Sequence, residues 1–394
     1  MAHSEDKPQY NLGLHHTSSP RLIHIVGANR WDEPWRHALD VCRHFRDLGW
    51  SVTAYTRDAK AIDSRFRAAL IDIRHCPLRG LFDVYSALQL SRDLRQERYG
   101  TIVHVHRYRD AFAVLLARRL AGRGDIRVVS TRHKLKRGAA HALARRIYRN
   151  LDAQTFVSRS VRDRFLATWA DGNYPFDASR LHVITPAVNI PDTPPVPEAE
   201  KGPRAVLCRA PLLPGMGLEI EGAMQQAAQP ETLIDSLTAL RELKTRLRIV
   251  SNGDTDYIDV LRRRAQVRGV MDMIDWKLRP DDTYPLIDQC HIGVDPTLRG
   301  APFGPTHIEY MARQRAQVIT AAISPSEHIT DGSQVIIVPP GDAYALGEAL
   351  RRLVLDEDLR HGIAATARQT YLDHFSWGEC AETIRRLYAS IQPR

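Results

Sequence analysis

The sequence predicts an α/β protein built from two doubly wound domains, each with a mostly parallel sheet. Three observations lead to this prediction. Short β-branched runs alternate with longer amphipathic stretches along nearly the whole chain, which is the pattern of strand–helix units around a parallel sheet. The chain has 394 residues, too many for one ordinary core. A proline-rich stretch near the middle interrupts the alternation, which then restarts.

In the first half of the chain, a strand is predicted at 21–28 and an amphipathic helix at 35–48, which Gly49 is placed to end. The remaining predicted strands are 51–56, 71–75, 101–105, 126–130, 155–158 and 181–185. The remaining predicted helices are 83–97, 109–120, 137–150 and 160–168. Because helices separate most of these strands, we expect the strands to lie parallel in one sheet.

A proline-rich linker separates the two halves, since residues 191–203 carry five prolines and can form neither a helix nor a central strand. Strands are then predicted at 205–208, 247–251, 271–276, 292–294, 317–320 and 335–338. Helices are predicted at 231–243, 256–267, 305–313, 342–354 and 356–391, the last broken near 375–378. The predicted domain organisation is a polar tail at 1–20, a first domain at 21–190, the linker at 191–204, a second domain at 205–375 and a C-terminal helix at 376–394.

The chain is basic, with a net charge of +9 and a pI of about 9.4. Residues 127–150 contain no acid and eight basic side chains, namely Arg127, Arg132, Lys134, Lys136, Arg137, Arg145, Arg146 and Arg149. Such a surface suits nucleic acid, anionic lipid or a phosphorylated substrate. We find no helix-turn-helix, zinc-finger or aromatic-basic RNA pattern, so we expect no nucleic-acid partner. Two interpretations of this segment stay open. It is either a solvated arginine-rich surface or a surface that contacts an anionic membrane, and the membrane is the functional interpretation we favour.

The sequence predicts neither a membrane span nor a secretion signal nor a metal site. No apolar run is long enough to cross a bilayer, and the first residues lack an apolar signal core. The five cysteines show no metal-ligand or redox spacing, and no Glu-x-x-His or His-x-x-x-His ligand pair occurs. We therefore expect a cytoplasmic protein without a bound metal or other resident cofactor.

A group of motifs in the second half carries a resemblance to a known family. Residues 302–305 have the sequence Pro-Phe-Gly-Pro and precede a predicted helix with Glu-Tyr-Met-Ala at 309–312. Further along the chain lie Asp-Gly at 331–332, Val-Pro-Pro-Gly-Asp at 338–342 and Phe-Ser-Trp at 375–377. Together these motifs resemble the retaining glycosyltransferase family 4, also called glycosyl transferases group 1.

The resemblance implies a GT-B fold, in which two Rossmann-like domains face each other across a cleft and a C-terminal helix crosses back to the first domain. It implies that the first domain binds the acceptor and the second binds the nucleotide-sugar donor. The implied enzyme is a hexosyltransferase that transfers a sugar, with retention, to a lipid-linked, polysaccharide or other glycan acceptor. Its expected place is polysaccharide biosynthesis of the cell envelope, on the inner face of the cytoplasmic membrane.

The chemistry of a donor diphosphate explains the glycine-containing loop. A glycine turn lets backbone N–H groups approach the phosphates, and a helix N-terminus adds a favourable dipole. Phe303, Gly304 and Pro305 supply this pattern, with Pro305 at the first position of the predicted helix. The resemblance places Glu309 on the ribose hydroxyls of the donor and makes it one of the two catalytic residues we predict.

Three groups that the family uses around the donor are replaced in this chain. Ala301 stands where the family has the first of two glutamates eight positions apart. Pro211 and Met216 stand where it has the arginine and lysine of a phosphate clamp. Each missing cation would weaken the stabilisation of the leaving diphosphate by a few kcal/mol in a dry site. A catalytically silent GT-B protein, acting as a partner or as a sugar- or nucleotide-binding subunit, is therefore the alternative hypothesis.

Other donor-site positions are altered less severely. Arg209 lies one residue before the expected clamp and is predicted to reach the diphosphate in its place. Asn252 and Gly253 stand where the family has a Gly-x-Gly turn after a central strand, and we predict that they bind the donor. Residues 219–230 resemble an insertion that would reshape the cleft.

The first half supplies candidates at strand ends. Gly27, in the first strand-to-helix loop, is predicted to lie near the donor phosphates, where the family has a Gly-Gly turn. His104 and His106 end one predicted strand, and His133 follows the next. The resemblance identifies His133 with the cleft histidine that faces the donor sugar, which makes it the second predicted catalytic residue. Three histidines at one sheet edge strengthen that interpretation, although a lone histidine at a strand end is usually structural.

Overall fold

The computed structural model describes residues 20–29, 31, 33–169, 172–187, 190, 205–208, 230–251, 255–278, 284–298 and 300–393. Within these residues the backbone forms two large parallel sheets, one in each half of the chain, flanked by helices. The prediction of two doubly wound α/β units is therefore confirmed. The predicted linker at 191–204 and all but Pro20 of the predicted tail at 1–20 lie outside the described residues.

The first sheet has seven strands in the order β3-β2-β1-β4-β5-β6-β7, all parallel. They are β1 (Arg21–Val26), β2 (Ser51–Thr56), β3 (Asp72–His75), β4 (Ile102–Val105), β5 (Arg127–Arg132), β6 (Ala153–Phe156) and β7 (Leu181–Val183). The strand order reverses between β1 and β4, where His24 pairs in register with His104. Ligands of such sheets bind outside the carboxyl ends of the strands at this switch point.

Helices cover both faces of the first sheet. They are α1 (Glu33–Asp47), α2 (Lys60–Ala68), α3 (Val84–Arg95), α4 (Tyr108–Ala121), α5 (Ala142–Asn150) and α6 (Arg159–Leu166). The buried side chains of α1 and α2 belong to one core and those of α3 to α6 to the core on the opposite face. The Asp83 carboxylate caps α3 by accepting from the N–H of Ser86, and Gly122 ends α4 in a left-handed conformation.

The second sheet has six parallel strands in the order β10-β9-β8-β11-β13-β15. They are β8 (Ala205–Cys208), β9 (Arg246–Ser251), β10 (Ile274–Leu278), β11 (Ile292–Asp295), β13 (Ala316–Thr320) and β15 (Ile336–Val338), and a separate short pair joins β12 (Ala301–Pro302) to β14 (Ile323–Ser324). The helices are α7 (Pro230–Ser236), α8 (Thr255–Val267), α9 (Tyr284–Asp288), α10 (Pro305–Ala312), α11 (Ala343–Leu355) and α12 (Glu357–His374). The switch point of this sheet lies between β8 and β11.

The last helix, α13 (Trp377–Ile391), packs against the first half of the chain. Its Tyr388 ring is fully buried and lies 5.1 Å, centroid to centroid, from the ring of Phe45 in α1. The Nε of Arg127 donates to the carbonyl of Ile391 over 2.7 Å. The predicted return of the C-terminal helix to the first domain is therefore confirmed.

Several predicted boundaries shift in the structure. The helix predicted at 137–150 begins only at Ala142, because residues 133–141 form a loop after β5. The strand predicted at 271–276 begins at Ile274, after a single 3₁₀ turn. Helices α2 and α9 and the β12–β14 pair were not predicted, since each is too short to show a clear periodicity. None of the helices in the described part of the chain has the length and apolar character needed to span a bilayer.

Candidate functional site

The loop before α10 is held in a fixed conformation by its own side chains. Gly304 is the N-cap of α10 and Pro305 its first residue, as predicted. The N–H of Gly304 donates to Nδ1 of His307 over 3.1 Å, and the ring of Phe303, which is buried, stacks on that imidazole at 4.6 Å. The start of α10 is therefore a preformed helix N-terminus whose dipole favours an anion, but the N–H of Gly304 is already donated to His307 and Pro305 has no N–H.

His307 also ties this loop to the end of β11. Because its Nδ1 accepts from Gly304, the ring proton lies on Nε2, which is 3.1 Å from Oδ2 of Asp295. Thr297 donates to the other carboxylate oxygen from both its N–H and its hydroxyl. Burial alone would raise the pKa of Asp295, but the nearby His307 ring and the hydrogen bonds from Thr297 hold it below its ordinary value. His307 and Asp295 were not predicted, although their places at a helix start and a strand end are the kind of signal that could have found them.

Glu309 lies one turn into α10 and is fully buried. Its Oε1 is 2.6 Å from Nη1 of Arg36, a residue of α1 in the first half of the chain. The Arg36 side chain keeps 30% of its surface exposed. The predicted ribose-binding acid therefore faces the opposite sheet and is paired with a cation that the sequence analysis did not identify.

Further contacts join the carboxyl edges of the two sheets. A Cβ on Gly300 would lie 3.4 Å from Cδ2 of Leu135, so the loop before β12 meets the loop after β5. On the neighbouring side, Nε of Arg159 is 3.0 Å from Oε1 of Glu327. The two carboxyl edges therefore face each other across a cleft.

Gly27, which directly follows β1, lies beneath an ion pair between the partly exposed Arg107 and the buried Asp110. A Cβ at this position would come within 2.3 Å of Nη2 of Arg107 and 2.4 Å of Oδ2 of Asp110. These two side chains form a bidentate pair, with Nε–Oδ2 at 2.8 Å and Nη2–Oδ1 at 2.9 Å. Burial raises the pKa of Asp110, against the effect of Arg107. The space next to Gly27 is thus needed by the protein itself, and its predicted contact with donor phosphates stays a prediction.

His133 is joined by hydrogen bonds to two other histidines. Its Nε2 lies 3.1 Å from Nδ1 of His106, and Nε2 of His106 lies 3.0 Å from Nδ1 of His24. His24 is on β1, while His106 and His133 follow the ends of β4 and β5, the next strands across the switch point. The structure thus confirms that His106 and His133 meet at one edge and adds His24, which the sequence analysis did not single out.

His104 makes a separate set of contacts beside this row. Its Nδ1 lies 2.6 Å from the hydroxyl of Tyr388, and its Nε2 lies 2.6 Å from the hydroxyl of Thr131. His104 therefore joins α13 to the sheet.

One ring nitrogen each from His24, His104 and His106 lies within 4.8 Å of the others, a spacing that a metal ion could bridge. The sequence spacing of these residues gave no such indication.

The histidines of this cluster are neutral. Burial lowers the pKa of His24 to about 3, with a further contribution from the charge of His37, and burial lowers the pKa of His37 to about 4. Burial also lowers the pKa of His104, His106 and His133 well below the ordinary value. His37, on α1, touches the row edge-on, with ring centroids 6.4 Å from His106 and 6.0 Å from His133.

Part of the predicted donor site lies outside the described residues. This holds for the predicted binding residues Arg209, Asn252 and Gly253, for the substituted positions Pro211 and Met216, and for residues 219–229 of the insertion. Ala301 is described and belongs to β12, where its N–H donates to the carbonyl of Ala322 over 3.1 Å. The structure thus brings together Gly304, Pro305, Glu309 and Arg36, with Phe303 packed behind the loop.

Two Rossmann-like units with facing carboxyl edges, joined by a C-terminal helix that crosses back, define a glycosyltransferase of the GT-B fold. Residues 35–191 match the family model described as Glycosyltransferase Family 4, and residues 221–356 match the model described as Glycosyl transferases group 1. The chain belongs to the family 4, group 1 glycosyltransferases.

Curated proteins related to this chain match over part of their length. A phosphatidyl-myo-inositol mannosyltransferase of Mycobacterium leprae is 26% identical over 163 residues, which are 40% of this chain and 42% of the relative. The lipopolysaccharide core biosynthesis glycosyltransferase LpsE of Rhizobium meliloti is 27% identical over 138 residues, 35% of this chain and 40% of the relative. The matched stretches thus span about two-fifths of the length of these relatives.

Solved structures match over nearly the whole chain. A glycosyltransferase from Rickettsia africae superposes with a TM-score of 0.77 at 17% identity, covering 95% of this chain and 99% of the other. HepE of Anabaena, solved in complex with UDP and glucose, gives 0.75 at 14% identity, covering 94% of this chain and 100% of the other. Because the sequence identities are this low, the structural similarity establishes the GT-B fold alone.

Proposed function

We propose that the protein transfers a sugar from a nucleotide-sugar donor to a lipid-linked or other glycan acceptor, with retention of the anomeric configuration and without a metal ion. The observation that carries this proposal is the preformed N-terminus of α10, with Glu309 buried one turn further along and directed at the opposite domain. A diphosphate and a ribose have complementary requirements, since the phosphates need N–H donors and the ribose hydroxyls need an acceptor.

Arg36 adds a cation to this site. Its guanidinium lies 2.6 Å from Glu309 and carries five N–H donors in a planar fork. When ribose hydroxyls bind Glu309, Arg36 is close enough to turn toward the neighbouring diphosphate. In this role it takes over from the clamp cations that Pro211 and Met216 replace, and it stabilises the charge on the leaving diphosphate.

His133 serves the sugar end of the donor. Its imidazole is neutral, so it offers one hydrogen-bond donor and one acceptor rather than a charge. Front-face transfer with retention needs support for the departing phosphate and the sugar rather than a protein nucleophile. A neutral hydrogen-bonding ring at the cleft edge meets that need.

The acceptor side is proposed to lie on an anionic membrane surface. Lys134, Arg137, Arg145 and Arg146 are exposed in the segment 134–149, after β5. The segment after β3 exposes apolar side chains instead, with Phe82 at 66%, Tyr85 at 63% and Leu88 at 48%. Both segments follow strand ends of one sheet, so a basic surface and an apolar surface share the cleft edge. Basic side chains attract anionic lipid, and exposed aromatic rings suit the interface of a bilayer.

The names of the relatives fit this proposal. The phosphatidyl-myo-inositol mannosyltransferase and the lipopolysaccharide core glycosyltransferase are named for lipid-linked products, and HepE was solved with UDP and glucose. A lipid-linked acceptor used at the inner face of the cytoplasmic membrane, in envelope polysaccharide biosynthesis, is therefore the acceptor class we propose.

The test offers the full chain a panel of isotopically labelled nucleotide sugars together with a membrane lipid extract, with and without EDTA. We expect transfer from one donor, an unchanged anomeric configuration by NMR, no effect of EDTA, and a loss of about 10²-fold in kcat/KM for Glu309→Gln. The matched control is Glu348→Gln, an exposed glutamate on α11. Absence of both transfer and hydrolysis with every common donor would overturn the proposal.

A second candidate, a catalytically silent binding subunit, is favoured by one specific observation. Arg36 already forms an ion pair with Glu309, and Ala301 cannot supply the carboxylate that the family has at position 301. If the altered site cannot hold a donor, calorimetry with UDP and GDP should show no binding. The double substitution Ala301→Glu and Met216→Lys should then create binding, whereas tight nucleotide binding by the unmodified chain counts against this candidate.

A further inference from the structure

A row of three imidazoles leads from the cleft into the first domain. His133, His106 and His24 are connected by N···N contacts of 3.1 and 3.0 Å, and the inner ring, His24, is fully buried. Among the described residues, no group lies within hydrogen-bond reach of Nε2 of His24. The row therefore has one end at the cleft and one end closed.

A neutral imidazole carries one N–H donor and one lone-pair acceptor. Each contact in the row needs one of each, so His106, which makes both contacts, forces the two junctions to point the same way. Only two arrangements satisfy both contacts. In the first, His24 donates from Nδ1 to His106, and His106 donates from Nδ1 to Nε2 of His133. In the second, every proton lies on the opposite nitrogen of its ring.

The closed end distinguishes the two arrangements. In the second arrangement Nε2 of His24 carries a buried N–H with no acceptor, whereas in the first it carries only a lone pair. Among backbone groups, orphaned buried N–H groups are rarer than under-satisfied carbonyl acceptors. We infer the same order for the imidazole nitrogens of the row. The first arrangement is therefore the more stable one, and it leaves the proton of His133 on Nδ1.

We propose that His106 is a positioning residue whose orientation is set by the closed end of the row at His24. It holds His133 as its Nδ1–H tautomer, so that this N–H donates a hydrogen bond to an oxygen of the donor sugar. The proposal rests on the proposed function for the identity of the hydrogen-bond partner, but the fixed tautomer is a property of the protein alone. Burial supports the fixed tautomer, because a row of neutral imidazoles lacks the extra proton through which one arrangement could convert into the other.

His104 provides a matched control from the same cluster. Its two nitrogens contact the hydroxyls of Tyr388 and Thr131, and a hydroxyl can donate or accept. The tautomer of His104 therefore does not constrain the tautomers of the three histidines in the row. The His104 ring is nevertheless buried, like those of His24 and His106, and stacks on His106 at 4.7 Å.

The test is the tautomeric state of His133, read from two-bond ¹H–¹⁵N correlations of the full chain labelled with ¹⁵N-histidine at pH 7.5. Signals are assigned from single histidine variants. We expect a single Nδ1–H form in the unmodified protein and also in His24→Phe, in which Nε2 of His106 becomes the unpartnered end of the row. We expect a mixture of both tautomers in His106→Phe. We expect the single form to persist in His104→Gln and to return in part in His106→Gln, whose amide can both donate and accept.

Three results would overturn the proposal. The first is an Nε2–H form of His133 in the unmodified protein, and the second is a tautomer that does not respond to His106→Phe. The third is stoichiometric binding of added Zn²⁺ that shifts His24, His104 and His106 together, since the cluster would then be a metal site. Because this readout needs no sugar transfer, a fixed tautomer in a protein without transferase activity would refute only the proposed function.

Discussion

Nη1 of Arg36 lies 2.6 Å from Oε1 of Glu309, so the first helix of one domain is bound directly to the predicted ribose-binding acid of the other. The carboxylate is fully buried and the guanidinium partly exposed, which makes the cation the partner that can move. The contact thus combines two effects, because it satisfies a buried charge in the unliganded protein and places a cation beside the donor site.

Arg36→Ala should destabilise the protein and weaken nucleotide binding together. Removing one partner of a buried charged hydrogen bond costs about 1–3 kcal/mol, and the remaining exposure of Arg36 argues for the lower part of that range. Chemical denaturation and UDP calorimetry measure the two effects. Arg43→Ala is the control, since this arginine of the same helix is 40% exposed and 3.7 Å from Asp40. Equal losses in both variants would contradict the special role of Arg36.

Gly27→Ala should destabilise the first domain through a steric clash. Its Cβ would lie 2.3 Å from Nη2 of Arg107, which is partly exposed and can move, and 2.4 Å from a carboxylate oxygen of Asp110, which is buried and must shift. Overpacking of this kind costs about 1–3 kcal/mol. The matched control is Gly124→Ala, where a Cβ meets nothing within 4 Å. We expect urea denaturation to show a lower midpoint for the first variant alone, and an unchanged midpoint for Gly27→Ala would contradict the packing argument.

Much of the fold could be predicted from the sequence because strand–helix alternation is a local pattern. The loop at 302–305 and Glu309 could be predicted because they form a contiguous motif, and the meeting of His106 with His133 followed from parallel strands ending at one edge. The Arg36–Glu309 contact could not be predicted, since it depends on how two domains are oriented. His24 lies inside a strand of buried residues, where nothing in the local pattern separates a hydrogen-bonded histidine from an ordinary core position.

The histidine cluster should make the protein sensitive to acid. In the unfolded chain a histidine has a pKa of about 6.5, whereas burial lowers the folded value to about 3 for His24 and about 4 for His37. Below pH 6.5 the unfolded chain therefore binds protons that the folded chain does not. The stability from neutral histidines is present above pH 6.5 and is lost as the pH falls toward 4, at about 1.4 kcal/mol per residue by pH 5.5.

His37→Phe isolates this effect from other titrating groups. Asp40, whose pKa burial raises to about 6, acts in the opposite direction, because the folded chain then holds the extra proton. The free energy of unfolding should fall between pH 7.5 and 5.5 by about 1.3 kcal/mol less in the variant than in the unmodified protein. Identical pH dependence in the two proteins would show that His37 is not held neutral in the folded chain.

Binding to anionic vesicles should depend on the exposed arginines of α5. Basic side chains near an anionic surface contribute about 1 kcal/mol each, so Arg145→Ser with Arg146→Ser should weaken binding by about 30-fold at low salt. The matched control is Arg351→Ser with Arg352→Ser, two adjacent exposed arginines of α11 in the other domain. Co-sedimentation with phosphatidylcholine vesicles, with and without phosphatidylglycerol, measures the difference. Since the attraction is electrostatic, binding should also fall as salt is raised and the Debye length shortens. Equal losses in the two double variants would mean that overall positive charge, rather than the surface beside the cleft, holds the protein on the membrane.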